Sequence, residues 1–320
     1  MMTLTNQGPQ LRDYQMTIAE PVSLSGIGVH SGTPVSMTFL PSDANTGIVF
    51  HRIDPAGTSH AIRALVSEVG TTDLSTTLAN RDGVTISTVE HVMAAIAGAG
   101  IDNLIIEIDG PEVPIVDGTS AAFLAAFDQA GFAPQTAKRR FIRVLKPSRI
   151  EAGESWAEFL PYDGTRYEVE IDFETPVIGR QTFSGDMSEA VFRDEISRAR
   201  TFGFMRDVEK LWAAGLALAS SLDNSLVIGD DNNVINPGGL RFRDEFVRHK
   251  TLDAVGDLAL AGAPFIGCFR SHRGGHRLNA MALRALLADH SAFEIVEAAG
   301  HDRGAPLIAV NAPVFAPWAV

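Results

Sequence analysis

Two spacings of apolar residues take turns along this chain. Polar and apolar positions alternate singly in Gln15-Met-Thr-Ile-Ala19 and in Val35-Ser-Met-Thr-Phe-Leu40, the period of a half-buried strand. Between them, Gly26-Ile-Gly-Val-His-Ser-Gly32 is punctuated by glycine and predicts a turn. A helix is predicted from Ser87 through Ala97, with Ser87 and Glu90 at the spacing of a capping box. Asn103-Leu-Ile-Ile-Glu-Ile-Asp109 predicts a buried strand, and residues 120–130 a second helix. After the basic stretch Gln135-Thr-Ala-Lys-Arg-Arg140, strands are predicted again at Phe141 to Leu145, Ala157 to Leu160 and Tyr167 to Phe173. Helices follow near Glu189 to Ser197, Val208 to Ala214, Glu245 to Ala261 and Asn279 to Ala288. The order strands, helix, strand, helix therefore occurs twice, with no sequence identity between the halves. It predicts α+β layers in each half rather than a doubly wound parallel sheet.

At 320 residues the chain exceeds what one hydrophobic core commonly supports, so two domains are expected. The pattern divides it into a flexible tail at 1–14, a first α+β domain at 15–134, a linker at 135–140 and a second α+β domain at 141–320. With 45% hydrophobic and 20% charged residues the composition is that of a soluble globular protein. A net charge of −13 disfavours nonspecific attraction to nucleic acid or anionic membrane. The single cysteine, Cys268, excludes an intramolecular disulfide and any cysteine-rich metal site. No apolar leader opens the chain, and no run approaches the roughly 20 apolar residues of a membrane-spanning helix. The expectation is a cytoplasmic protein without stable membrane insertion.

Candidate chemistry concentrates in Glu245-Phe-Val-Arg-His-Lys-Thr-Leu-Asp-Ala-Val-Gly-Asp257, where His249, Asp253 and Asp257 recur every fourth residue. On a helix these share one face. A bland reading is a solvated face with Arg248 and Lys250 as partners. Yet Phe246, Val247, Leu252, Val255 and Leu258 make the helix apolar, and burying an imidazole and two carboxylates there is costly without a partner or metal. An imidazole and a carboxylate one turn apart form an incomplete Zn²⁺ site, because a catalytic zinc takes three protein ligands and keeps one position for water. Ser87-Thr-Val-Glu-His91 offers a further imidazole beside a carboxylate, although in isolation Glu90 as a cap and His91 as an ordinary helix residue is the more usual reading. His276, after a glycine pair and before a helix, is either a surface residue or a proton donor that needs an orienting carboxylate such as Asp257. Ile196-Ser-Arg-Ala-Arg-Thr-Phe-Gly-Phe-Met-Arg206 is a connection with salt bridges or a substrate loop in which Thr201 is an oxyanion donor and Phe202 meets a sugar. The apolar stretch from Val208 to Ala219 is core or the lining of an acyl-chain channel.

Eight ordered blocks together resemble one family, the zinc-dependent UDP-3-O-acyl-N-acetylglucosamine deacetylases of lipid A synthesis. They are Gly26-Ile-Gly-Val-His-Ser-Gly32, Ser87-Thr-Val-Glu-His91, Gly100-Ile-Asp-Asn103, Pro114-Ile-Val-Asp-Gly118, Ser197-Arg-Ala-Arg-Thr-Phe-Gly-Phe204, Gly239-Leu-Arg-Phe242, Asp244-Glu-Phe-Val-Arg-His-Lys250 and Gly275-His-Arg-Leu-Asn279. The resemblance implies two domains of similar βααβ sandwich topology, with the active site between their helix layers. It implies one Zn²⁺ on His91, His249 and Asp253, with Fe²⁺ as an alternative occupant in cells. By similarity Glu90 is the general base, His276 the general acid, and Asp257 orients His276. Thr201 stabilises the oxyanion, Lys250 assists near the scissile group, Phe202 meets the glucosamine, and Leu74 covers the metal. An insert around 196–228, including Val208, Leu211, Ala217, Leu222 and Val227, is expected to pass the 3-O-acyl chain. Arg143 and Arg206 are candidate cations for the UDP diphosphate, with Lys146, Arg270, Arg273 and Arg277. The expected protein is a monomer that binds this UDP-sugar and no nucleic acid. A zinc amidohydrolase for another acylated sugar, or a metal-stabilised scaffold with a closed four-ligand site, are the competing readings.

Overall fold

The computed structural model describes residues 13–298 and 308–309. The expected tail lies outside those residues through position 12, and Tyr14 already opens the strand Tyr14–Ile18. That strand pairs antiparallel with Phe132–Lys138. The stretch 135–140, expected as a linker, is thus strand on both sides of Arg139, because Arg140–Val144 begins the next sheet. Its basic side chains read as a solvated connection but are engaged: Lys138 lies over the Tyr14 ring, Arg139 bonds Asp102 and Arg140 pairs with Glu297.

Alternation in Pro34–Pro41 turns Val35, Met37 and Phe39 inward. The strand is next to Leu104–Ile108 in a five-stranded sheet ordered Val22–Ile27, Pro34–Pro41, Leu104–Ile108, Ile48–Ile53, Ser59–Arg63. Each neighbouring pair is antiparallel except Ile48–Ile53 with Leu104–Ile108. The second half repeats this order and these directions: Ser148–Ala152, Ser155–Leu160, Phe265–His272, Thr165–Asp172, Arg180–Asp186, with only the Thr165–Asp172 and Phe265–His272 pair parallel. Arg140–Val144, Phe293–Glu297 and Ile308–Ala309 extend the second sheet.

Among the described residues, six α-helical segments accompany the sheets: α1 Glu90–Ala99, α2 Ala121–Ala130, α3 Glu189–Val191, α4 Val208–Ala213, α5 Glu245–Ala259 and α6 His276–Ala288. Each sheet is built from two hairpins, and its central strand lies between two long helices in the chain, α1 and α2 or α5 and α6. The helix expected near 189–197 winds as α only through Val191 and continues as a π turn to Ile196. Its Phe192 fills the space a side chain at Gly98 would need. Helix α1 starts three residues later than the capping-box reading placed it, with Val89 as its N-cap and no side-chain cap. Ser87 is drawn away by a bridge to Glu112 and a hydroxyl contact from Thr77.

Helix α1 is buried on nearly every side, and its Ala and Gly residues let α5 run against it. At Gly256 the approach is tightest: a Cβ there would stand 2.0 Å from the Glu90 carbonyl oxygen. Buried apolar residues of both sheets and all four long helices join in one continuous core.

Candidate metal centre and catalytic site

The close pairing of α1 with α5 decides where the polar residues meet. Glu90 and His91 are the first residues of α1, and His249 and Asp253 occupy successive turns of α5. All four are nearly inaccessible to solvent. Oδ1 of Asp253 lies 3.2 Å from Nε2 of His249 and 3.7 Å from Nε2 of His91. The two imidazoles pack edge to face, with centroids 5.0 Å apart. Among the described residues, His91, His249 and Asp253 are the group arranged to hold a metal ion.

The donor atoms fit such an ion. Nδ1 of His249 faces the Ala199 carbonyl at 3.1 Å, so this nitrogen carries the proton and Nε2 keeps its lone pair for the cluster. Lys250 Nζ takes the other oxygen of Asp253 at 2.8 Å, while Oδ1 is buried with no hydrogen-bond partner. A buried, unpartnered carboxylate oxygen is costly unless a cation meets it. Ligands about 2.0–2.1 Å from a tetrahedral ion stand roughly 3.3 Å apart, close to the separations seen here. Two imidazoles and a carboxylate suit zinc, and also ferrous iron.

A second network flanks these ligands. Asp257, one turn beyond Asp253, accepts from the Thr76 hydroxyl (2.6 Å), from Asn279 Nδ2 (2.9 Å) and from Nδ1 of His276 (3.0 Å). His276 is the first residue of α6, and its Nε2 is 3.8 Å from Glu90 and 4.0 Å from Asp253. The other Glu90 oxygen accepts the Thr76 backbone N–H at 3.0 Å. One threonine thus holds both the carboxylate beside the ligands and the carboxylate behind the histidine.

Burial and neighbouring charge set the protonation states. Burial, reinforced by the neighbouring His249, pushes His91 down to about 3, and burial also lowers His249, leaving both imidazoles neutral as metal ligation requires. Burial opposes ionisation of Asp253, but the positive charges of Lys250 and His276 favour it, and the carboxyl is held well below its ordinary range. Burial raises Glu90 to about 7, against the pull of His276 and with the push of Asp257 and Asp253. For His276 burial is overcome by Asp257 and Glu90, which raise it to about 9. A carboxylate poised near neutrality beside an imidazolium is suited to proton transfer in both directions.

The remaining expected residues fall in several places. Phe202 packs on Phe246 and approaches the His249 ring (centroids 6.4 Å), with Lys250 Nζ 5.6 Å from its own. Thr201 is held beside it by backbone bonds to Gly118 and Leu226. Arg206 lies over Phe204 and, with Lys250, Phe173, Asp172 and Arg273, lines a cavity of about 540 Å³. Val208, Leu211, Ala217 and Leu222 belong to a segment that hydrogen bonds to the His30 turn, and Val227 to a short strand paired with Phe202–Phe204. Trp212, Leu218 and Leu222 there are exposed. Leu74 is 53% exposed at a positive φ, while Ser75, Thr76 and Thr77 behind it are buried. Arg143 is paired with Glu294, and Lys146, Arg270 and Arg273 also have carboxylate partners.

Sequence reasoning gave no role to Thr76, or to Asn279 within a recognised block. Ser120, whose hydroxyl caps the His91 carbonyl at 2.8 Å, was not singled out. No periodicity marks Thr76 or Ser120, which reach the site only through the fold of their loops, whereas Asn279 shares a face of α6 with His276. For Gly256, a glycine within an apolar helix was the available signal.

The family model for LpxC, UDP-3-O-acyl N-acetylglycosamine deacetylase, matches residues 15–288. Curated relatives named UDP-3-O-acyl-N-acetylglucosamine deacetylase from Brucella ovis and from Brucella melitensis biotype 2 are each 66% identical over 285 residues, covering 89% of this chain and 99% of the relative. With the family model matching most of its length and relatives 66% identical along nearly their whole length, the chain belongs to the UDP-3-O-acyl-N-acetylglucosamine deacetylase family.

Proposed function

We propose that this chain is a zinc-dependent hydrolase of the cytoplasm that removes the acetyl group of UDP-3-O-acyl-N-acetylglucosamine. The products are UDP-3-O-acyl-glucosamine and acetate, in the committed step of lipid A biosynthesis. The observation that carries the reading is the convergence of His91, His249 and Asp253 with Glu90 and His276 beside them. His276 stands outside the ligand group, tied through Nδ1 to Asp257, which supports three protein ligands with an open position rather than a closed structural site.

Zinc held by His91, His249 and Asp253 would polarise the acetamide carbonyl and acidify water. Glu90 takes a proton from the attacking water, using the oxygen not engaged by Thr76. His276 turns Nε2 toward the same space and delivers a proton to the nitrogen as the C–N bond breaks, its charge sustained by Asp257. Thr201 and Lys250 stabilise the oxyanion, and Phe202 packs against the glucosamine ring. The 540 Å³ cavity beside Lys250 receives the nucleotide portion, with Arg206 as a cation that has no carboxylate partner among the described residues. Arg143, already neutralised by Glu294, is poorly suited to hold a diphosphate. The exposed apolar residues of the 196–228 insert support its reading as the acyl passage, and Leu74 caps the metal loop.

We also read the chain as two α+β domains of one topology, 15–134 and 141–320, with the site between their helix layers. The identical strand order of the two sheets and the contact of α1 with α5 support this reading. The test uses two variants. His276→Ala keeps its zinc and loses most acetate release, whereas His91→Ala loses both. Full zinc in purified His91→Ala removes that ligand from the proposal.

A further inference from the structure

Two charged residues within the recognised blocks take no part in the chemistry, yet they form a deeply buried ion pair. Glu245 is fully buried and Arg200 is 7% exposed. Oε1 of Glu245 accepts the Arg200 side-chain Nε (2.9 Å) and the Arg200 backbone N–H (3.1 Å). Oε2 accepts Arg200 Nη2 (3.1 Å) and the backbone N–H of Arg241, and Nη2 also donates to the Gly239 carbonyl (2.8 Å). An ion pair this far from water contributes little net stability compared with apolar packing of the same volume. What it does provide is direction, because a guanidinium fork meets a carboxylate in one plane.

The direction matters at a single peptide group. The unit joining Ala199 to Arg200 is gripped at both ends by α5. Its N–H goes to Glu245, and its carbonyl accepts from Nδ1 of His249, one helical turn later. A planar peptide is stiff, so fixing its N–H fixes the line of its carbonyl. That carbonyl selects the His249 tautomer and aims Nε2 at Asp253. The next residues along the chain are Thr201 and Phe202, whose placement beside His249 starts from the same anchor.

We propose that the Arg200–Glu245 pair is a positioning element for the metal centre, which sets the orientation of His249 through the Ala199–Arg200 peptide. The inference rests on the proposed metal site but not on the identity of the substrate.

Two measurements test it. In the zinc-loaded parent protein, ¹⁵N NMR of the histidine side chains is expected to show His249 protonated at Nδ1 and bound through Nε2. Protonation at Nε2 overturns the proposal without any variant. Zinc affinity by chelator competition is then compared for the parent, Glu245→Gln and the apolar double variant Arg200→Met with Glu245→Leu. In the double variant no buried charge is left unpaired, so it is expected to fold, with a zinc-free melting temperature lowered by the loss of the two backbone hydrogen bonds to Glu245. Both variants are expected to bind zinc about 10–100-fold more weakly, the usual effect of removing an outer partner of a ligand. A folded variant that binds zinc as tightly as the parent overturns the proposal, even if its melting temperature has fallen. Parent protein that binds no zinc defeats the metal reading itself, and parent that binds zinc without releasing acetate defeats only the deacetylase reading.

Discussion

At the scale of single residues, the site separates three acidic or imidazole groups that share one helix face. His249 and Asp253 point to the ligand cluster, while Asp257 points to His276. Asp257 and Glu90 raise His276 to about 9, so its protonated form persists through neutral pH and is lost as pH rises through that value. Asp257→Asn removes one of the charges that hold the proton. The basic limb of the kcat–pH profile is expected to move to lower pH, by about one to three pH units. Comparison with parent enzyme carrying the same metal gives the direction, and an unmoved or raised limb contradicts the assignment of Asp257 to His276. The spacing of His249, Asp253 and Asp257 was legible in the chain because helical period alone puts them on one face. That His91 completes the cluster followed from resemblance rather than spacing. Thr76 was illegible, since nothing local tells that its amide and hydroxyl bridge two carboxylates far apart in sequence.

Among the elements, the pairing of α1 and α5 brings His91, His249 and Asp253 together. Gly256 allows it, with the Glu90 carbonyl occupying the place of a side chain. Gly→Ala inside a helix ordinarily stabilises by roughly 1 kcal/mol. Here the added methyl forces apart the two helices that carry all three ligands, a cost of about 1–3 kcal/mol or more. Gly256→Ala is therefore expected to lower the melting temperature and weaken zinc binding together. A variant as stable as its parent, with unaltered zinc affinity, contradicts the account of this crossing. Helices α1, α2, α5 and α6 were legible because their apolar residues recur with helical period. The start of α1 was misread because Ser87 and Glu90 have cap spacing, but tertiary partners claim both side chains. Residues 135–140 were misread because three basic residues in sequence look solvated, whereas Lys138 and Arg140 find partners on neighbouring strands and Arg139 bonds Asp102.

For the whole molecule, the proposed ligands come from segments more than 150 positions apart, His91 in the first half and His249 and Asp253 in the second. An ion bound there stabilises the folded chain by linkage, about 2.7 kcal/mol when free zinc is 100 times its Kd. Zinc-loaded protein is expected to melt at a higher temperature than chelated protein, and coincident transitions contradict a site that spans both halves. The repeat of strand order between the halves was suggested by the order of predicted elements. Its register was not, because strand pairing depends on contacts remote in sequence. The central claim, one metal ion on these three residues serving a deacetylase, is tested most directly by titrating zinc into chelated enzyme while following acetate release from UDP-3-O-acyl-N-acetylglucosamine. Activity is predicted to be absent without metal and to rise linearly to a break at one equivalent per chain. Full activity in the metal-free protein, or none at any zinc level, contradicts the account.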